Sequence, residues 1–230
     1  MEYKQFSHFS FDLWLTLIQS NPEYKQKRNR LMIDHFNITF EPTVVDETYN
    51  KFDKLFNNIN EITGGNLDAK ELWLIFLAEM NVDVKLLNLE SLQAFNEKTE
   101  KLFFEFHPTL IDERTPQLFK RLVSEGHTIS LLCNTAFTES SFLKKLLVKL
   151  GIDEYFSFKL FSDEMGYSKP NIKVYEQMFE EVQKLRSLTK KDVLHIGDNP
   201  RADLWGANNF GIEARLLLPG ETVVTVFENN

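Results

Sequence analysis

Apolar residues recur along this chain with two different periods. Phe9 to Trp14 is a short apolar run broken by Ser10 and Asp12, a pattern that predicts a buried strand ending in a turn around Asp12. From about residue 21 to residue 106 the spacing changes to threes and fours. Val44, Val45, Thr48, Phe52, Leu55, Phe56 and Ile59 follow it, as do Leu92, Phe95, Thr99, Leu102, Phe103 and Phe106. Leu72 to Ala78 is apolar without interruption, which predicts a helix buried on most sides. Gly64-Gly65 breaks this helical block into halves.

After His107-Pro108 short apolar runs alternate with helical patterns. Strands are predicted at Thr128–Leu132, Phe158–Phe161, Val193–Ile196 and Ala214–Leu218. Between them lie helices opened by Thr115 as N-cap with Pro116 in the first turn, running from about Thr138 to Leu150, following Asn171, and opened by Pro200. The tail from Gly220 reads as a short strand or a loose end. Such alternation predicts an α/β fold, a parallel sheet with helices on both faces, whose functional residues gather at the carboxyl ends of the strands. The expected division is a core of residues 1–20 and 107–230 and a helical insertion of residues 21–106, placed to cover the strand ends.

Composition narrows the function. A net charge of −8 argues against a broad surface for nucleic acid or anionic membrane. The 21 phenylalanines suggest aromatic-rich cores and point to no ligand. One cysteine, Cys133, excludes an intramolecular disulfide and a multi-cysteine zinc site, and the five histidines show no paired zinc spacing. The apolar start is too short to span a bilayer and no small-residue cleavage site follows it, so a cytoplasmic location is expected. The sequence assigns no oligomeric state.

The chemistry-bearing positions follow predicted strands: Asp12, Asn134, Lys169 after a loop, and Asp198 with Asp203. Parallel topology would bring them together, and clustered carboxylates ask for a hard divalent cation, Mg²⁺ by default. Each position also has a plainer reading: Asp12 as a turn residue, Asp198 as a cap for the helix at Pro200, Lys169 as a solvated lysine, Cys133 as a buried small side chain, and His195 as a structural histidine.

Four segments together resemble the haloacid dehalogenase-like (HAD) hydrolases. They are Phe11-Asp12-Leu13-Trp14-Leu15-Thr16-Leu17, Leu131-Leu132-Cys133-Asn134-Thr135, Gly166-Tyr167-Ser168-Lys169-Pro170, and the run from Gly197-Asp198 to Asp203. The resemblance implies a HAD-like Rossmannoid core with a helical cap inserted after the first motif. It implies that Asp12 attacks phosphorus to form an aspartyl-phosphate, and that Lys169 neutralises Asp12 and the transferring oxygens. Mg²⁺ would be held by Asp12, the backbone carbonyl of Trp14, Asp198 and Asp203. Thr16, Cys133, Asn134 and Lys169 would contact the phosphate of a small phosphorylated metabolite.

Two positions depart from the family pattern. Trp14 stands where phosphatases of the family carry an acid–base Asp, and loss of such help typically costs about 10²–10⁴-fold. Cys133 stands where Ser or Thr is usual. Three readings follow: a Mg²⁺-dependent phosphatase or phosphotransferase, a 2-haloacid dehalogenase-like hydrolase, and a catalytically inactive binding protein.

Overall fold

The computed structural model describes residues 3–228. Its centre is a five-stranded sheet, every neighbouring pair parallel, in the order β5-β4-β1-β6-β7. The strands are β1 (His8–Phe11), β4 (Thr128–Cys133), β5 (Phe158–Phe161), β6 (Val193–Gly197) and β7 (Glu213–Leu216). β1, the first strand in sequence, is central because crossovers fill in on both sides of it. Two short strands, β2 (Ile18–Gln19) and β3 (Thr109–Leu110), pair antiparallel where the chain leaves the sheet region and where it returns.

Between them run four helices, α1 (Pro22–Phe36), α2 (Pro42–Thr63), α3 (Ala69–Glu79) and α4 (Leu89–Glu105). They build an aromatic cluster that includes Phe52, Phe56, Trp73, Phe76 and Phe95, joined by Phe137 from outside the four helices. The buried row on α2 is Val45, Tyr49, Phe52, Phe56 and Asn60, while Val44 and Leu55 face outward. Helix α3 departs from expectation: Leu72, Trp73, Phe76 and Leu77 are buried, but Ile75 and Ala78 are exposed. An uninterrupted apolar run hides which face packs, since only one side of this helix meets its neighbours. Gly64 ends α2 at φ 68°, where a Cβ would also lie 2.8 Å from the Asn171 amide.

Helices α5 (Thr115–Ser124), α6 (Ser140–Lys149) and α10 (Val223–Glu228) pack on one face of the sheet with Phe9, Phe11, Leu131 and Ile196. Helices α8 (Ile172–Leu185) and α9 (Gly206–Phe210) pack on the other with Leu132 and Val193; a single turn, α7 (Ser162–Met165), follows β5. The first strand ends at Phe11 and the chain turns after Asp12, as expected, because Leu17 and Ile18 both donate backbone N–H groups to Leu13 O and bend it. Two local expectations are corrected here. Thr115 is the first helical residue of α5 and not its cap; Asp112 organises that turn by accepting from the Arg114 N–H and guanidinium. The tail forms α10, although its β-branched run reads as a strand. Thr222 and Thr225 cap one another reciprocally, and Val223, Val224, Val226 and Phe227 are buried.

The strands alternate, so the sheet face carrying His8, Ser10, Thr128, Ser130 and His195 is polar at its middle. His8 is fully buried there between Thr128 Oγ1 at 2.7 Å and Ser130 Oγ at 2.9 Å. Burial pushes its pKa down to about 3. The unfolded chain takes up this proton near pH 6.5 and the folded one does not, so His8 withdraws stability as pH falls from 6.5 toward 3. The slope is about 1.4 kcal/mol per pH unit, or roughly 2 kcal/mol between pH 6.5 and 5. Urea unfolding at those two pH values is expected to show a smaller acid loss in His8→Gln than in the parent; equal losses would remove His8 as the cause.

Candidate active site

The carboxyl ends of β1, β4 and β6 converge on one polar cluster. Asp12 follows β1 directly, and its N–H donates to Ile196 O at 2.9 Å, keeping it in line with the neighbouring strand. Leu15 then takes a left-handed φ of 59° in the bend, with its side chain exposed. Trp14 is half-buried next to it. Thr16 is buried beside the Asp198 carboxylate, and its Oγ1 reaches no partner at hydrogen-bond geometry.

Lys169 is the hub. Its ammonium donates to Asp12 Oδ1 at 2.8 Å, Asp203 Oδ1 at 2.7 Å and Leu132 O at 2.7 Å, which uses all three N–H groups. Asn134 holds it from behind: the Lys169 N–H donates to Asn134 Oδ1 at 2.8 Å, and Asn134 Nδ2 donates to Lys169 O at 2.9 Å. The Asn134 amide thus grips the lysine backbone as a neighbouring strand would. Burial works against the Lys169 charge, but Asp12 and Asp203 outweigh it and hold the ammonium above the ordinary lysine range.

Gly197-Asp198 closes β6 and Asn199 starts the next turn. Asn199 Oδ1 accepts from the Arg201 and Ala202 N–H groups, so Asn199 is the cap and Asp198 is left free of that duty. The following turn, residues 200–205, is a wide π-helical one that returns Asp203 against Gly197. A Cβ at Gly197 would lie 2.3 Å from Asp203 Oδ2, so only glycine admits this approach. Asp203 Oδ1 also meets His195 Nε2 at 3.0 Å, and its Oδ2 accepts the Asn199 N–H at 3.0 Å. An ionised Asp203 can only accept, so His195 Nε2 carries a proton, with Nδ1 against Ser10 Oγ at 3.0 Å.

Carboxylate oxygens of Asp12, Asp198 and Asp203 lie within 4.8 Å of one another. Burial, reinforced by Asp203 and Asp198, lifts the Asp12 carboxyl to about 6 against the pull of Lys169. Burial and the Asp203 charge also raise Asp198. For Asp203 burial is overcome by Lys169 and His195, which hold it well below the usual carboxylate range. Three carboxylates and one ammonium leave a local surplus of two negative charges, the condition under which a hard divalent cation is stabilising. Among the described residues Asp12 Oδ2 has no donor, and Thr16 Oγ1 has no partner at hydrogen-bond geometry beside Asp198. The residues present therefore fit a divalent cation bound by oxygen.

A cavity of about 340 Å³ opens over this cluster, lined on one side by Asp12, Trp14, Lys169 and Asp198 and on the other by Arg28, Tyr49, Asp53 and Glu61 from α1 and α2. Cys133 and Thr16 are not among its lining residues. The Cys133 thiol is buried, donates to Asn134 O at 3.4 Å, and is pushed well up by burial, so it is a protonated packing group. Residues that strand-end reasoning does not reach are His195 and Ser10 behind Asp203, and Asn199, whose Nδ2 donates to Glu61 Oε1 at 2.8 Å across the cavity. The Gly64-Gly65 break is bound to the lysine loop: Ser168 N–H and Asn171 Nδ2 both donate to Gly64 O, at 3.2 and 2.9 Å.

Comparison with known proteins agrees with this arrangement. The family model for haloacid dehalogenase-like hydrolases matches residues 6–211. A segment of 96 residues is 31% identical to glyceraldehyde 3-phosphate phosphatase of Methanothermobacter thermautotrophicus, covering 42% of this chain and 39% of that protein. The magnesium-bound structure of YfnB from Bacillus subtilis superposes with a TM-score of 0.72 at 17% identity, covering 97% of this chain and 98% of that one. A 2-haloacid dehalogenase from Pseudomonas syringae pv. Tomato DC3000 gives 0.62 at 18% identity over 94% and 89% of the two chains. Among the described residues no helix is long and apolar enough to cross a membrane. With its motifs gathered at one sheet edge and the family model spanning nearly the whole chain, this protein belongs to the haloacid dehalogenase-like hydrolases.

Proposed function

We propose that this hydrolase is a Mg²⁺-dependent phosphatase acting on a small phosphorylated metabolite through an aspartyl-phosphate on Asp12. The observation that carries the reading is the division of labour at Asp12, with Oδ1 on Lys169 and Oδ2 without a donor beside a three-carboxylate cluster. The partial likeness to a phosphatase supports the same reaction class. Residues 1–20 and 107–230 form the catalytic core in this reading, and residues 21–106 act as a cap.

Asp12, Asp198 and the Trp14 carbonyl would hold the cation, with Asp203 steadied from behind by Lys169, His195 and the Asn199 N–H. When bound, the cation offsets the carboxylate charge and polarises the phosphoryl oxygens. Asp12 Oδ2 forms the bond to phosphorus as the bond to the leaving oxygen breaks; water then attacks phosphorus and releases the carboxylate. Lys169 meets the charge of the transferring group, and the backbone near Asn134 offers hydrogen bonds to it; Thr16, which does not line the cavity, acts from beside Asp198. The Thr135 N–H is already donated to Ser162 Oγ at 2.7 Å, which leaves its neighbours for that purpose. Cys133 contributes its backbone position and not its thiol.

Trp14 has no proton to give to a leaving oxygen. Asp53 and Glu61 border the cavity from α2, but Glu61 accepts from Asn199 Nδ2 at 2.8 Å and Asp53 faces Lys25 at 3.8 Å, so each is already engaged. Leaving groups that depart without a proton, aryloxides and carboxylates, should therefore react fastest. The test is hydrolysis of an aryl phosphate with Mg²⁺ and with EDTA: at least a tenfold loss in EDTA is expected. Halide release from a 2-haloacid without metal would instead select the dehalogenase reading, and the absence of both reactions the inactive one.

A further inference from the structure

Arg28 lies on α1, is 2% exposed, and lines the cavity that Asp12 and Lys169 line from the other side. No carboxylate among the described residues comes within ion-pair distance of it. The nearby acids are engaged elsewhere: Asp46 accepts from Asn29 Nδ2 at 2.7 Å, and Asp53 faces Lys25 at 3.8 Å. Among the described residues the guanidinium is held by neutral groups. Its Nε and Nη2 donate to Asn29 Oδ1 at 3.3 and 2.9 Å, and its Nη1 donates to Tyr49 OH at 3.0 Å. The faces of Tyr49, Trp73 and Tyr24 surround it, with ring centroids 3.8, 5.3 and 5.4 Å from its central carbon.

Those bonds engage all three guanidinium nitrogens and fix its orientation; one further N–H on each terminal nitrogen makes no hydrogen bond at standard geometry among the described residues, although the Tyr24 hydroxyl approaches the group. A buried cation without an anion is costly, and aromatic faces answer only part of its charge. The fork geometry of arginine matches a two-oxygen anion, and a water-poor aromatic wall strengthens that contact.

We infer that Arg28 is a specificity residue that binds a second anionic group of the substrate, a carboxylate or a second phosphate, at the opposite end from the phosphoryl group placed at Asp12. The substrate class is then a compact phosphate ester carrying a second negative charge, in keeping with a cavity of about 340 Å³. The inference deepens the phosphatase reading and rests on it only for the group at Asp12.

The test is calorimetric binding to the full chain with Mg²⁺, using ω-phosphonocarboxylates of two to five carbons and their uncharged carboxamides. At least one acid is expected to bind tenfold or more tightly than its amide, with the preference lost in Arg28→Gln and partly kept in Arg28→Lys. A parallel series of bisphosphonates distinguishes a carboxylate site from a phosphate site. Equal binding of acid and amide at every length, with no gain for any bisphosphonate, overturns the inference; that comparison needs only the parent protein and survives a misfolded variant. Aryl phosphatase activity with no acid preference would leave the phosphatase reading standing and remove Arg28. An acid preference lost in Arg28→Gln without any hydrolysis would do the reverse.

Discussion

Asp12→Asn is expected to lower Mg²⁺-dependent phosphate release by about four orders of magnitude or more, as loss of a covalent nucleophile does. The amide keeps the volume and can still accept from Lys169, so the site is not dismantled. What disappears is the anionic Oδ2, which has no donor among the described residues. The same change should leave the metal-free fold as stable as before or more so. Asp12 is buried within 4.8 Å of two further carboxylates, and burial already drives its carboxyl upward. Single-turnover phosphate release and a thermal melt in EDTA check the two halves. An Asn variant that retains near-parent turnover would mean that another group attacks phosphorus.

Lys169→Met should strike both stability and turnover. It removes the lysine ammonium that bridges Asp12 and Asp203 and takes away a donor to Leu132 O. Breaking a buried pair in this way costs about 3–5 kcal/mol, because the remaining charge stays buried. The expected result is a fall of that size in the unfolding free energy read from urea curves in EDTA, with activity lost as well. Mg²⁺ should restore more stability to the variant than it adds to the parent, since binding to the folded state stabilises it and the variant has the larger charge surplus. A variant as stable as the parent in EDTA would show that the three carboxylates are not held by Lys169.

Much of this was legible in the chain itself, for reasons specific to each element. Strands at Thr128–Cys133 and Val193–Gly197 are buried on both faces, so they stand out as apolar runs, and their motif residues sit at the ends where parallel strands present them. Helix α10 was illegible because its β-branched residues favour a strand locally, and only packing on Phe9 and Tyr3 makes the helix pay off in buried area. Helix α3 was readable as a helix but not as to its face, since an all-apolar run has no moment.

The sequence by itself determined the alternation that makes a parallel sheet, the order of the four motifs, and the charges of Asp12, Lys169, Asp198 and Asp203. These are properties of residue type and spacing, which survive without coordinates. Only the tertiary structure decided who touches whom. It put His195 and Ser10 behind Asp203, turned Asn134 onto the backbone of Lys169, and gave the capping role to Asn199. It also set Arg28, 16 positions after Asp12, on the far wall of the same cavity with no acid beside it. Such partnerships join residues from distant parts of the chain, and their strength depends on burial and angle, which no local pattern encodes.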